Sequence, residues 1–254
     1  MRKVLRILLW AALLLSASHE AAAQHYLGAH GGWGAATARL YPKQEMKMVW
    51  GRWSAGVSWL HYGRTKYAGA IGAELLFIQR GYSYELYQAT DTVFKRTLNS
   101  VMLPLMWHPH VNLFKPRLQI FINAGVTISY NFDSYTEERS GKDGLLRGGR
   151  YDMKLVRDNR WNYGLVGGFG IMARFEKWDV YFEGRYYIGD AEILKNRNKY
   201  KANPLRSPLD NLSFSLGFYR RLGRGGPPGP PKPRKGEVPS AVESVSEEAT
   251  IIIE

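Results

Sequence analysis

From Leu118 to Tyr130 the chain alternates without a break: Leu118, Ile120, Ile122, Ala124, Val126, Ile128 and Tyr130 fall on one face, and Gln119, Phe121, Asn123, Gly125, Thr127 and Ser129 on the other. Side chains that repeat every second residue share one face of a β-strand, so this segment is a long strand with an apolar face and a polar one. Residues 179–188 do the same, with Val180, Phe182, Gly184, Tyr186 and Ile188 opposite Asp179, Tyr181, Glu183, Arg185 and Tyr187. Residues 212–221 and 161–175 repeat the pattern, and weaker versions occur at 25–34, 52–62, 69–85 and 97–110. The sequence therefore predicts eight strands.

The connections alternate in length. Gly63–Lys66, Lys115–Arg117 and Glu176–Trp178 read as tight turns, whereas 35–51, 86–96, 131–159 and 189–210 are long and polar. Short and long gaps in alternation imply antiparallel neighbours with every tight turn at one end. A soluble up-and-down barrel shares this wiring but turns its apolar faces inward. Here the faces opposite the apolar ones carry charge, Gly and Ser, which suits a narrow polar interior, and aromatics gather near strand ends. Trp53, Trp59, Trp107, Tyr130, Trp161, Tyr163, Phe175, Trp178, Tyr186 and Phe218 are placed to form the two aromatic girdles of a membrane barrel. The expected fold is all-β: an eight-stranded antiparallel up-and-down transmembrane β-barrel with short periplasmic turns and long extracellular loops.

Composition supports this class and removes others. With no Cys there are no disulfides, thiolate metal sites or cysteine nucleophiles. Beyond the first two dozen residues no apolar run approaches the ~20 that a spanning helix needs. Residues 1–23 read as a signal peptide: Arg2, Lys3 and Arg6, then an apolar stretch from Ile7 to Ala17, then the small-residue cleavage pattern Ala21–Ala23. Export leaves no role for nucleic acid, although the formal net charge is +13. Residues 24–222 form the barrel, and 223–254, opening GRGGPPGPPKPRK, read as a Pro/Gly-rich, disordered periplasmic tail.

An even strand count puts both termini on one side, the periplasmic side of the outer membrane. An eight-stranded barrel has an interior that side chains just fill. Glu74, Arg80, Arg174, Asp179, Glu183, Arg185 and Arg221 are placed inward, where charges of both signs are expected to pair, because unpaired ones are costly. Among the loops, 131–159 balances six basic against six acidic side chains. The 189–209 loop is basic, with Lys195, Arg197, Lys199, Lys201 and Arg206 against Asp190 and Glu192, and suits the phosphates of lipopolysaccharide.

Catalytic motifs are thin. There is no G-x-S-x-G, P-loop or H-E-x-x-H, and the Gly run from Gly164 to Gly170 lies inside a strand, where Gly permits close approach rather than binding a dinucleotide. His108 and His110 share the inward face but lack a visible third ligand, so they read as polar lining. No enzyme activity, cofactor or metal is expected.

The segments at 72–85, 98–107, 118–134, 161–175, 180–190 and 212–222 together resemble the PorT-like outer-membrane β-barrel proteins of Bacteroidetes. The marks are Glu74, Phe77, Gln79 and Gly81 in the third strand, Pro104 in the fourth, and Arg185, Tyr186 and Gly189 in the seventh. The resemblance covers nearly all of 24–222 and implies a membrane scaffold or accessory of type IX protein secretion. It also implies that secretion-machinery proteins are partners, reached through the tail or the periplasmic turns, beside outer-membrane lipid. The alternatives are a small channel or porin and a surface adhesion or antigenic barrel. The tail beyond Leu222 departs from the family pattern.

Overall fold

In a computed structural model, residues 24–41, 45–62, 69–87, 92–113, 117–141, 144–154, 156–175, 178–195 and 206–222 are described. The signal peptide, the tail and most of the three tight turns lie outside them.

The strands are β1 (Gln24–Ala38), β2 (Met46–Lys47), β3 (Val49–Tyr62), β4 (Ala70–Tyr87), β5 (Thr92–His108), β6 (His110–Leu113), β7 (Leu118–Ser140), β8 (Gly144–Arg150), β9 (Trp161–Arg174), β10 (Trp178–Gly189) and β11 (Leu209–Leu222). Eight of them close a ring. Each long strand pairs antiparallel with its sequence neighbour, in the order β1, β3, β4, β5, β7, β9, β10, β11, and β11 returns to β1 along the register His25↔Leu222 to Ala38↔Leu209. Closure leaves no open edge in the ring, which is the only way strands satisfy every backbone group inside a bilayer. β6 continues β5 beyond Pro109 and pairs with β7. The fold is the expected eight-stranded antiparallel barrel.

Two local features explain how the staves approach one another. At Gly125 a Cβ would stand 2.1 Å from the Leu105 carbonyl oxygen, so only glycine lets β7 lie this close to β5. Pro104 sits in β5 where the β4–β5 ladder skips Glu74 and Leu75, as a residue without an N–H requires.

The strand ends near the tight turns fall within two residues of expectation, but the opposite ends run further. β7 continues to Ser140 and folds back as β8, so most of 131–150 is a hairpin rather than an irregular loop. The 86–96 gap shrinks to 88–91 between β4 and β5, and 35–51 contains the end of β1, β2 and the start of β3. Alternation fades along 135–150, where both faces are exposed or half-buried. Solvent-exposed charges pair across the extension: Lys95 lies opposite Glu137 at 3.7 Å, Arg150 reaches Asp133 at 3.0 Å, and Lys47 pairs with Glu85.

Candidate functional site

Inward alternation from several strands builds the lumen as stacked layers. Nearest the termini, Tyr26, Leu60, Tyr62, Ala70, Phe121, Met172, Tyr181 and Tyr219 form an apolar and aromatic cluster. Beside it, Arg221 lies 3.7 Å from Asp179, with its guanidinium 5.6 Å from the centre of the Tyr26 ring. Arg174 donates to the Tyr62 hydroxyl at 3.4 Å.

Above this layer sits the most tightly knit group. Arg185 on β10 sends two parallel hydrogen bonds across the barrel to Glu74 on β4, at 2.6 and 2.8 Å, and also lies 2.8 Å from Glu183. Asn123 on β7 donates to Glu183 at 2.8 Å, and His30 on β1 stands 3.9 Å from Glu74. A guanidinium fork matches a carboxylate bidentately, so the Glu74–Arg185 pair fixes both side chains. The three charged residues are almost fully buried. Leu76, Ile78, Met102, Met106, Val166 and Tyr187 form a second apolar layer alongside.

Toward the long-loop end, Arg80 is held by neutral oxygens: Leu209 O at 2.9 Å, Asn211 at 3.0 Å and Ser129 at 3.3 Å. Asp210 binds Arg39 at 2.8 Å and accepts from the Gly189 N–H at 3.1 Å. A third apolar cluster, Ala38, Tyr82, Leu98, Met153, Ile193 and Leu209, closes this end. Over it Arg96 pairs with Asp158 at 3.2 Å, both buried, and lies 4.2 Å from the centre of the Tyr151 ring.

All seven expected lumen charges are therefore inward. Glu74, Glu183 and Arg185 come together, as do Asp179 and Arg221. Arg80 and Arg174 differ from expectation: among the described residues neither forms an ion pair, Arg80 because amide, hydroxyl and carbonyl oxygens satisfy it, whereas Arg174 donates to the Tyr62 hydroxyl and keeps a buried Nε without a partner. Sequence reasoning missed the Arg96–Asp158 and Arg39–Asp210 pairs, and the apolar layers within the lumen. The runs Leu75–Ile78 and Val101–Trp107, apolar on both faces, were the available signal for the middle layer. His108 and His110 do not meet as a ligand pair: His108 packs against Phe121, and His110 against Tyr62 at 5.3 Å. Of the basic loop residues, Lys195 and Arg206 are exposed, Arg206 bridging Tyr41, while Arg197, Lys199 and Lys201 lie outside the described residues.

The outer surface carries Leu, Ile, Val and Phe between two aromatic rows. One row, near the termini, contains Trp59, Trp107, Phe175, Trp178 and Phe218, with Trp178 and Phe218 edge to face at 5.5 Å. The other contains Trp53, Tyr130, Trp161, Tyr163 and Tyr186, joined by Trp33, Trp50, Phe77 and Phe132, with Trp53 stacked on Phe77 at 4.5 Å. At ~3.3 Å per residue and a tilt near 40°, the ten steps from Leu165 to Phe175 climb ~25 Å, the height of an outer-membrane apolar band.

A closed barrel with a filled interior and a belted apolar exterior defines a transmembrane barrel of the outer-membrane type. The family model described as outer membrane protein beta-barrel domain matches residues 25–189, and the chain belongs to that family. It is an outer-membrane β-barrel protein. No curated protein matches it. Among solved structures it is similar to OprG from Pseudomonas aeruginosa, at 13% identity over 81% of this chain and 98% of that one, with a TM-score of 0.43. Neisserial surface protein A is similar at 11% identity over 80% of this chain and 100% of that one, TM-score 0.40. The attachment invasion locus protein Ail of Yersinia pestis is similar at 10% identity over 80% and 100%, TM-score 0.36.

Proposed function

We propose that the protein is a non-conducting, non-catalytic barrel that serves as a membrane-embedded scaffold or accessory in the export of other proteins. The observation that carries this is the lumen: a buried Glu74–Arg185–Glu183 bridge spans it from β4 to β10, with apolar layers packed alongside. Such an interior favours a support over a pore. In this reading both termini face the periplasm and the β7–β8 hairpin faces outward. The surrounding lipid and lipopolysaccharide are passive partners. The PorT-like resemblance adds the finer proposal, a role in type IX secretion with machinery proteins engaged through the tail or the turns.

A second reading, surface adhesion, is favoured by one feature of the loop end. A recess of about 510 Å³ opens there beside β8, lined by Phe94, Glu138, Arg147, Arg150, Tyr151 and Arg157 among others. Comparing exported proteins in a strain lacking the gene separates the two. The export reading expects cargo to build up in the periplasm and to clear on complementation. Unchanged export, with loss of surface binding in a β8-deleted variant, would contradict export and support adhesion.

A further inference from the structure

At the terminus-bearing end of the barrel, His25 on β1 lies directly opposite His61 on β3. Their neighbours Tyr26, Leu60 and Tyr62 are buried in the lumen. Period-two alternation therefore turns both imidazoles to the outer surface, level with Trp59 in the lower aromatic row. The rings are 4.8 Å apart between centres and inclined at 42°. Trp59 stacks near both, at 5.8 Å from His25 and 5.9 Å from His61. His61 Nδ1 is buried and has no hydrogen-bond partner.

Two imidazoles whose nitrogens converge on one metal ion have ring centres at such a spacing. A zinc–nitrogen bond of ~2.05 Å added to the ~1.15 Å from nitrogen to ring centre places each centre ~3.2 Å from the ion. Coordination angles between 90° and 109° then separate the ring centres by ~4.5–5.2 Å. The observed separation falls inside that window without any change of backbone. Directly opposed positions on antiparallel strands hold their Cβ atoms ~4.5–5.5 Å apart, so the backbone itself supplies the bite.

We propose that His25 and His61 form a surface site for a borderline divalent transition-metal ion, of the Zn²⁺, Ni²⁺ or Cu²⁺ type, that ties β1 to β3 at the membrane boundary. Imidazole is the ligand such ions favour. Among the described residues no group of three or more His, Cys, Asp or Glu is placed to hold a metal, so the site is bidentate and the ion keeps its other positions for water. His30, His108 and His110 belong to the lumen side and take no part.

The test uses the full mature chain, without a histidine tag, folded in detergent micelles. Titration with Zn²⁺ by calorimetry is expected to show one saturable site, weakened about ten-fold or more by either His25→Gln or His61→Gln, as loss of one of two ligands implies. His108→Gln and His110→Gln are expected to bind like the parent. Electron paramagnetic resonance with one equivalent of Cu²⁺ on the unmutated protein with its N-terminal amine acetylated, which removes that amine as a competing ligand beside His25, is expected to show two equatorial nitrogens, a readout that does not depend on any variant folding. Absence of a saturable site, binding that survives both substitutions, or a copper signal with one nitrogen or none would overturn the proposal and leave His25, Trp59 and His61 as an aromatic stack.

Discussion

Arg185 carries more of the interior than any other side chain, since it faces two carboxylates and is almost fully buried. Taking a charge out of water is costly, and the cost is met here by the bidentate geometry with Glu74 and by the second contact to Glu183. Removing one partner of such a buried group leaves the others uncompensated. Arg185→Met is therefore expected to lower unfolding stability by about 3–5 kcal/mol, measured by urea titration in micelles with the heat-dependent gel shift as the readout of folded barrel. Glu183→Gln, which keeps the Glu74 fork and the Asn123 neighbour, is expected to cost less; equal losses from the two would contradict the central place given to Arg185. Part of this arrangement is legible in the sequence: period two puts Glu183 and Arg185 on one face of one strand. Their partner Glu74 lies 111 positions from Arg185, and only closure of the ring brings β4 across from β10. Arg80 was legible as inward, but not as a cation satisfied by neutral oxygens, because those come from strands whose facing order no local pattern reveals.

At the scale of the elements, the two ends of each strand obey different physics. Within the bilayer one face meets lipid and the other meets the lumen, so alternation is enforced and the strand is easily read. Beyond Ser134 both faces are exposed or half-buried and the pattern dissolves, which is why the stretch to Arg150 looks like a loop in sequence and is a hairpin in the structure. That extension rests on one buried anchor. Arg96 on β5 holds Asp158, donates to Ser134 on β7 at 3.0 Å, and lies over the Tyr151 ring. Arg96→Met is expected to leave the barrel folded while loosening 151–158, so that trypsin cleaves after Lys154 or Arg157 roughly ten-fold faster, the equivalent of ~1.4 kcal/mol of local opening. Unchanged cleavage would mean that the anchor is not what orders the segment. Apolar runs on both faces, such as Leu75–Ile78, were the reverse case: a strand signal strong enough to place the segment, yet silent about the apolar layer that Leu76 and Ile78 build inside the lumen with Met102 and Met106.

The barrel is a belt of lipid-facing side chains around a packed interior, and the two halves of that description have different consequences. The aromatic rows and the apolar band fix it in the outer membrane. The interior decides what it does there. Apolar clusters alternate with the Glu74–Arg185–Glu183 bridge and the Arg96–Asp158 pair along the barrel axis, and each side chain in these layers is held by partners from other strands. The measurement that tests the non-conducting scaffold most directly is ion conductance of the purified, folded barrel in a planar lipid bilayer. The account predicts a baseline without steady channel openings under an applied potential. Steady, ohmic conductance in the unmutated protein would contradict it and make the barrel a pore.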